Sequence, residues 1–343
     1  MYKRQVSNEV FELIKQFKAI KTGNDKERME ARKSVEQMVR ELAITYHHDA
    51  IKLKSKTVFA LAADMYKAYA EAFGDDPEHG PDTKFFLGEL YYTLERWQEA
   101  GERYLEVAQS GNRAKYGEKA VYAAIVSFNK ALNVDKISGG ETTMKRDGVP
   151  PRKPIPDVVL KLATACELYL TLLPPEKRTK ESDVRYRLAR IYYEHFHFKE
   201  AAVRLEAFLD RYPQDRLAAY AGPALLDSLN AISDFEKLAV WGKKLMSTGA
   251  LSQKKELRSE LEEVTQGATL KNIEALTAAS KHKEAAAAYD DFLRRYPKSQ
   301  YLDKVLNNAA TAFERVAQPE RAVELRDRLV REFPDSTLAP DAM

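Results

Sequence analysis

Three segments in the second half of the chain end on the same short pattern, an aromatic residue followed by proline, at residues 208–213, 292–297 and 329–334. The last two prolines, Pro297 and Pro334, lie 37 residues apart. The alanines that open the predicted helices ending at these prolines, Ala285 and Ala322, have the same spacing. Proline ends a helix because it lacks an N–H and its ring clashes with the preceding turn. Equal spacings between such endings predict a structural unit that is repeated along the chain.

Apolar residues recur every three or four positions along most of the sequence. The first run passes through Phe11, Ile14 and Phe17, and further runs cover residues 29–46 and 57–73. This is the period of a helix buried on one face, and no alternating strand pattern persists over a useful length. The sequence therefore predicts an all-α fold.

The helices are predicted to form antiparallel pairs. A helix with Gly88 and Tyr91 is followed, after a break, by a helix that opens at Ala100, and the same order returns with Ala189 and Ala201. Small residues let two helices approach closely, and a unit of about 34 residues cannot bury its apolar face alone, so the units must stack. The residues assigned to repeat packing are Leu87, Gly88, Tyr91, Ala100, Tyr104, Leu188, Ala189, Tyr192, Ala201, Phe208, Pro213, Ala285, Tyr289, Pro297, Ala322 and Pro334.

We count one clear pair before residue 130 and four after residue 180. The 84 residues from Ala201 to Ala285 leave room for one intervening pair, whose second helix would hold Phe235 and Trp241. Residues 253–280 then read as one long or gently broken helix.

A segment rich in glycine and proline, residues 135–157, interrupts the helical pattern. Glycine and proline at this density predict an exposed loop. We interpret it as a tolerated insertion between sub-arrays, with a functional loop as the alternative. The predicted organisation is an N-terminal region of helical hairpins and a first sub-array at 1–134, this loop or linker, and a C-terminal sub-array at 158–343.

The last residues, 337–343, read as the start of another helix rather than as a polar cap. A solenoid needs a cap to cover its last apolar face. We therefore expect the native protein to continue beyond Met343. Whether it also begins before Met1 is left open.

These motifs resemble the tetratricopeptide repeat superfamily over about residues 80–130 and 180–335. The resemblance implies a right-handed α-solenoid, a superhelix whose concave face is lined by the first helix of each pair and binds other proteins. The endings at 208–213 and 292–297 are similar to those of two kinds of bacterial cell-envelope protein, an outer-membrane assembly lipoprotein and the periplasmic coordinator of the Tol system. They imply a Gram-negative envelope scaffold, periplasmic if a signal sequence lies upstream and cytoplasmic otherwise.

Eight side chains are predicted to contact a partner on the concave face. Aromatic and arginine side chains are common energetic anchors of protein interfaces. The alternative is that the tyrosines among them pack between units. The branch of the family that clamps the C-terminal carboxylates of chaperones uses lysine, asparagine and arginine on the first helices, a set missing here, so no such clamp is expected. The eight residues are Phe85, Glu89, Tyr92, Tyr186, Arg190, Tyr193, Asn307 and Thr311.

Charge and residue types exclude several other classes of function. The 55 Lys and Arg residues nearly balance the 52 Asp and Glu residues, with a net charge of +3, so no strong field would attract nucleic acid. The single cysteine, Cys166, excludes an internal disulfide or a multi-cysteine metal site. His195 and His197 are two residues apart and would point to different sides of a helix, which disfavours a shared metal ion.

The sequence contains no phosphate-binding glycine loop, no zinc-protease motif and no nucleophile elbow. It also lacks a secretory signal after Met1 and an apolar run long enough for a membrane span. We expect no catalysis, no metal and no cofactor.

We interpret the chain as a non-enzymatic scaffold that binds a helix or an extended segment of another protein. Three alternatives stay open: a spacer in a larger multidomain protein, a substrate-presenting region of an enzyme, and a cytoplasmic adaptor.

Overall fold

The computed structural model describes residues 2–19, 24–110, 115–134, 149–247 and 255–339. Within these ranges the regular structure consists of fifteen α-helices and one short 3-10 helix, Pro175–Lys177, which confirms the predicted all-α class. The α-helices are α1 (Tyr2–Ala19), α2 (Asp25–Leu53), α3 (Lys56–Phe73), α4 (Gly80–Thr93), α5 (Trp97–Gln109), α6 (Gly117–Ala131), α7 (Asp157–Leu172), α8 (Glu181–Glu194), α9 (Phe198–Arg211), α10 (Ala218–Ala231), α11 (Phe235–Met246), α12 (Lys255–Ala278), α13 (His282–Arg295), α14 (Leu302–Arg315) and α15 (Pro319–Glu332).

The helices belong to two compact units that divide between Ile191 and Tyr192 in α8, and the described residues 149–152 belong to the second unit. In the first unit, α2 to α6 each pack on the helix that follows, and α1 lies against α2 and α3. In the second unit the same neighbour packing runs from α9 to α15. Each unit is thus a stack of helices, as expected of a solenoid. The predicted division at 135–157 stays a prediction, because residues 135–148 lie outside the described residues.

The turns between the two helices of a pair share one backbone geometry. Each contains a residue with φ close to 60°: Glu95, Phe196, Ser233, Ser280 and Ala317. The next residue then donates its N–H to the carbonyl five positions back, as Arg96 does to Tyr91 at 2.9 Å. This arrangement, the Schellman motif, satisfies carbonyl groups that the helix end leaves open.

The end of α6 has the same turn. Asn133 has φ 54°, and the Val134 N–H donates to the Asn129 carbonyl at 2.9 Å. Because α7 packs on α6, these two helices form a further pair, with residues 132–156 between them. The second helix of the predicted intervening pair is α11, which contains Phe235 and Trp241, and the predicted long helix is α12.

Glycine allows the helices of the first unit to approach closely. A Cβ atom added to Gly88 would lie 2.8 Å from the buried ring of Tyr104 on α5, and one added to Gly101 would lie 2.7 Å from Phe128 on α6. These separations are well below the usual carbon–carbon contact of about 3.5–4.0 Å. Any side chain at these two positions would have to push the facing ring away.

Candidate protein-binding surfaces

The predicted partner residues of α4 differ in their exposure. Phe85 is only 8% exposed, and its ring stacks on that of Tyr116 with centroids 4.4 Å apart. Glu89 is exposed and accepts a hydrogen bond from the Tyr104 hydroxyl. Phe85 therefore packs inside the fold and is corrected from a partner contact to a packing position, whereas Glu89 remains accessible.

Tyr92, near the end of α4, is half-buried. Its ring lies perpendicular to Trp97, with centroids 4.8 Å apart, and the Lys130 ammonium lies 4.8 Å from the Trp97 centroid. The two rings and the cation are held together by aromatic and cation–π contacts. Tyr92 thus presents a partly exposed ring in a fixed orientation.

Three half-buried rings form a row that we call the aromatic row: His47 on α2, Phe86 on α4 and Tyr116 directly before α6. The centroid of Phe86 lies 5.9 Å from His47 and 5.5 Å from Tyr116. The row is therefore continuous across three helices. Sequence reasoning missed it because only the first phenylalanine of the doublet at 85–86 was assigned a role.

Charged groups of both signs flank the aromatic row. The ammonium groups of Lys115 and Lys119 lie 5.2 Å and 5.9 Å from the Tyr116 ring centroid. Burial lowers the pKa of His47, and the nearby carboxylate of Glu89 opposes that shift only in part. His47 is therefore neutral at neutral pH, and the row offers apolar ring surface next to charges that can orient a partner.

The predicted partner residues of α8 are buried. Tyr186 is 0% exposed and Arg190 is 6% exposed in the first unit, and Tyr193 is 2% exposed in the second. The Tyr193 hydroxyl donates to the carboxylate of Asp227 on α10 at 2.6 Å. These three residues are corrected to packing positions, because in the folded chain they are not available to a partner. For Tyr193 the physical reason is direct, since a helix of the following pair covers it.

The predicted partner residues of α14, Asn307 and Thr311, are half-buried. The Thr311 hydroxyl donates to the Asn307 carbonyl at 3.2 Å. One turn further along, Glu314 is exposed and accepts a hydrogen bond from Arg326 at 2.9 Å. This part of α14 is therefore polar and at least partly accessible.

The residues assigned to repeat packing are buried, with four exceptions. Tyr192 is half-buried, and its ring lies 4.1 Å from the Arg204 guanidinium. The three prolines are exposed, and each follows the residue after a helix end, as Pro213 does after α9. Their role in ending helices agrees with that placement, although their contribution to packing stays a prediction.

The described residues contain no group of three or more His, Cys, Asp or Glu side chains that could hold a metal ion. Cys166 is buried, and burial raises the pKa of its thiol to about 12, so the nucleophilic thiolate is scarce at neutral pH. Across the described part of the chain, none of the helices combines the length and the apolar character that a membrane span requires.

Comparison with a family model described as tetratricopeptide repeat gives matches at residues 183–215 and 274–299. Two segments of the chain match the tetratricopeptide repeat. The first covers most of α8, all of α9 and the following turn, and the second covers the end of α12 and all of α13.

Two solved structures to which this chain is similar are tetratricopeptide repeat proteins. One is from Parabacteroides merdae ATCC 43184, with 10% identity over 89% of this chain and 97% of that chain, and a TM-score of 0.31. The other is the tetratricopeptide repeat domain of P58(IPK), with 14% identity over 98% of this chain and 86% of that chain, and a TM-score of 0.30. Comparison with curated protein sequences gives no match.

Proposed function

We propose that this chain is a protein–protein interaction scaffold that binds a helix or an extended segment of a partner on its first helices. The observation that carries the proposal is the aromatic row, because three adjoining rings are held rigidly yet remain partly exposed. Rigid aromatic side chains lose little entropy on binding and bury much apolar area, so they serve as anchors.

The accessible neighbours of the row extend the proposed surface. Glu89 and Tyr92 are on the same helix as Phe86, and both are at least partly exposed. They supply a carboxylate and a ring that can contact the flanks of a bound segment. In the second unit, Asn307 and Thr311 are proposed as a separate polar contact surface.

The proposal also includes a bacterial cell-envelope setting. Its support is the similarity of the endings at 208–213 and 292–297 to those of envelope repeat proteins. Fractionation of source cells that carry an epitope tag on the chromosomal gene would test this part. Recovery with the periplasm or the membranes is expected, and recovery in the cytoplasmic fraction would make the protein a cytoplasmic adaptor.

The binding surface can be tested with matched variants of the tagged full chain. Partners are captured from source cells after mild crosslinking, identified, and titrated as purified proteins. Tyr116→Ala and Phe86→Ala are expected to weaken binding about tenfold or more, as the loss of an anchor worth roughly 1.4 kcal/mol would. Tyr122→Ala, which removes an exposed tyrosine of α6 outside the aromatic row, serves as the control.

Circular dichroism of each variant separates loss of binding from loss of fold. If all three variants retain wild-type helix content and bind the partner equally well, the aromatic row is not the binding surface. If no protein is captured above the untagged control, the scaffold proposal itself fails.

A further inference from the structure

Residues 149–156, with the sequence Val-Pro-Pro-Arg-Lys-Pro-Ile-Pro, precede α7 and contain neither helix nor strand. The four prolines fix their own φ near −65°. A residue that precedes proline is confined to extended conformations, and this restricts Val149, Pro150, Lys153 and Ile155 as well. Only Arg152 escapes both restrictions. The segment is therefore held close to the polyproline II conformation, and Pro156 shows it directly with φ −59° and ψ 149°.

The segment is joined to the protein at its C-terminal end. The Pro156 carbonyl accepts the N–H groups of Val159 and Leu160, each at 2.9 Å, so the segment leads directly into the first turn of α7. In the middle of the segment, the exposed Arg152 guanidinium lies 3.5 Å from the carboxylate of Glu200 on α9.

Most residues of the segment are exposed, and only Pro150 and Ile155 are half-buried. In polyproline II, positions three apart share an edge. One such edge carries Pro151 and Pro154, and both are exposed. The segment therefore presents this proline edge to solvent.

We propose that residues 149–156 are a ligand for a small domain of another protein that binds polyproline II segments in an aromatic-lined groove. Pro151 and Pro154 have the spacing at which two prolines of a polyproline II helix enter neighbouring slots of such a groove. Because the conformation is already formed, little entropy is lost on binding. The exposed Lys153 adds a positive charge, so the groove carries acidic residues at its edge.

This role goes beyond the scaffold function. In the scaffold function, the first helices bind a segment of a partner. In the second role, residues 149–156 of this chain are themselves the segment that a domain of another protein binds. The two activities use different residues and can be lost independently.

The test uses the full chain as titrant and a panel of purified, isotope-labelled SH3 and WW domains with acidic residues beside the groove as probes. For at least one domain we expect saturable chemical-shift changes at the aromatic groove residues. The double variant Pro151→Ala/Pro154→Ala should weaken that binding about tenfold or more. The control is Pro174→Ala/Pro175→Ala, which changes two adjacent prolines in the turn after α7 and should leave binding unchanged.

A charge variant tests the recognition chemistry separately. Lys153→Glu should weaken binding and reduce its dependence on salt, because attraction between exposed charges is screened by ions. If no domain in the panel shows saturable shifts, or if Pro151→Ala/Pro154→Ala binds as tightly as the wild type, the proposal is overturned. Retention of the scaffold partner by the same variants would show that the two functions are separate.

Discussion

The close approach of α4 and α5 can be tested by making the same substitution at two glycines in different surroundings. Gly88 faces the ring of Tyr104, with Cε1 at 2.8 Å and Cδ1 at 2.9 Å from the position of an added Cβ. Gly267 lies inside α12, where the nearest atom to an added Cβ is the Tyr301 hydroxyl oxygen at 4.0 Å. Alanine therefore meets a buried ring at one position and a single contact of ordinary length at the other.

The expected free-energy changes have opposite signs. Alanine in a helix interior is favoured over glycine by about 1 kcal/mol, and this gain applies at both positions. At Gly88 the Tyr104 ring, which is 1% exposed, must also move by roughly 0.7 Å to restore normal contact. Such overpacking costs about 1–3 kcal/mol. We expect Gly88→Ala to destabilise the first unit by up to about 2 kcal/mol and Gly267→Ala to stabilise the second unit by about 1 kcal/mol.

Urea denaturation followed by far-UV circular dichroism measures the overall change. Repeat arrays do not always unfold in one step, so hydrogen exchange of peptides from α4, α5 and α12 assigns the change to a unit. Protection should fall in α4 and α5 for Gly88→Ala and rise in α12 for Gly267→Ala. If Gly88→Ala is more stable than the wild type, the helices are not as close as described, and the packing argument is refuted.

Three further predictions concern buried polar and titratable groups. Tyr193→Phe removes the hydroxyl that donates to buried Asp227 at 2.6 Å, so the free energy of unfolding should fall by about 1–3 kcal/mol. A fall no larger than the one caused by Tyr122→Phe at the surface would contradict this prediction. Burial lowers the pKa of His47, so the unfolded state takes up a proton at this residue at a higher pH than the folded state does. The contribution of neutral His47 to the free energy of unfolding is therefore fully present above about pH 6.5 and is lost as the pH falls through the lowered pKa. The melting temperature should therefore drop more on acidification in the wild type than in His47→Phe, and equal drops would count against the assignment. Cys166, with its thiol pKa raised to about 12, should react with iodoacetamide at neutral pH only after urea is added, and rapid labelling of the folded chain would show that the thiol is exposed.

The helices could be predicted from the sequence because their signal is local. Apolar spacing at three and four residues marks α2 and α3, and the small residues Gly88 and Ala100 mark a close pair. The left-handed positions of the turns inside the pairs are occupied by residues such as Phe196 and Ala317 rather than by glycine, so the sequence carries no glycine signal for this backbone conformation.

The binding surface could be predicted only in part, because exposure depends on contacts between pairs. A single-pair pattern assigns Tyr193 to the open face, but its hydroxyl bonds to Asp227, 34 residues further along the chain. The aromatic row also depends on contacts between pairs. His47 and Tyr116 contact Phe86 from two other parts of the chain, and no local spacing in the sequence predicts such contacts.

The turn that ends α6 bears on how this architecture can be altered. The hydrogen bonds at Asn133 and Val134 close the helix before residue 135 is reached, so the helix end does not depend on the length of chain that follows. Lengthening a flexible connection costs only slowly increasing closure entropy. The turns at Ser233 and Ser280 are closed in the same manner. They are therefore natural places to graft a reporter or an entire foreign domain while the flanking helices keep their register.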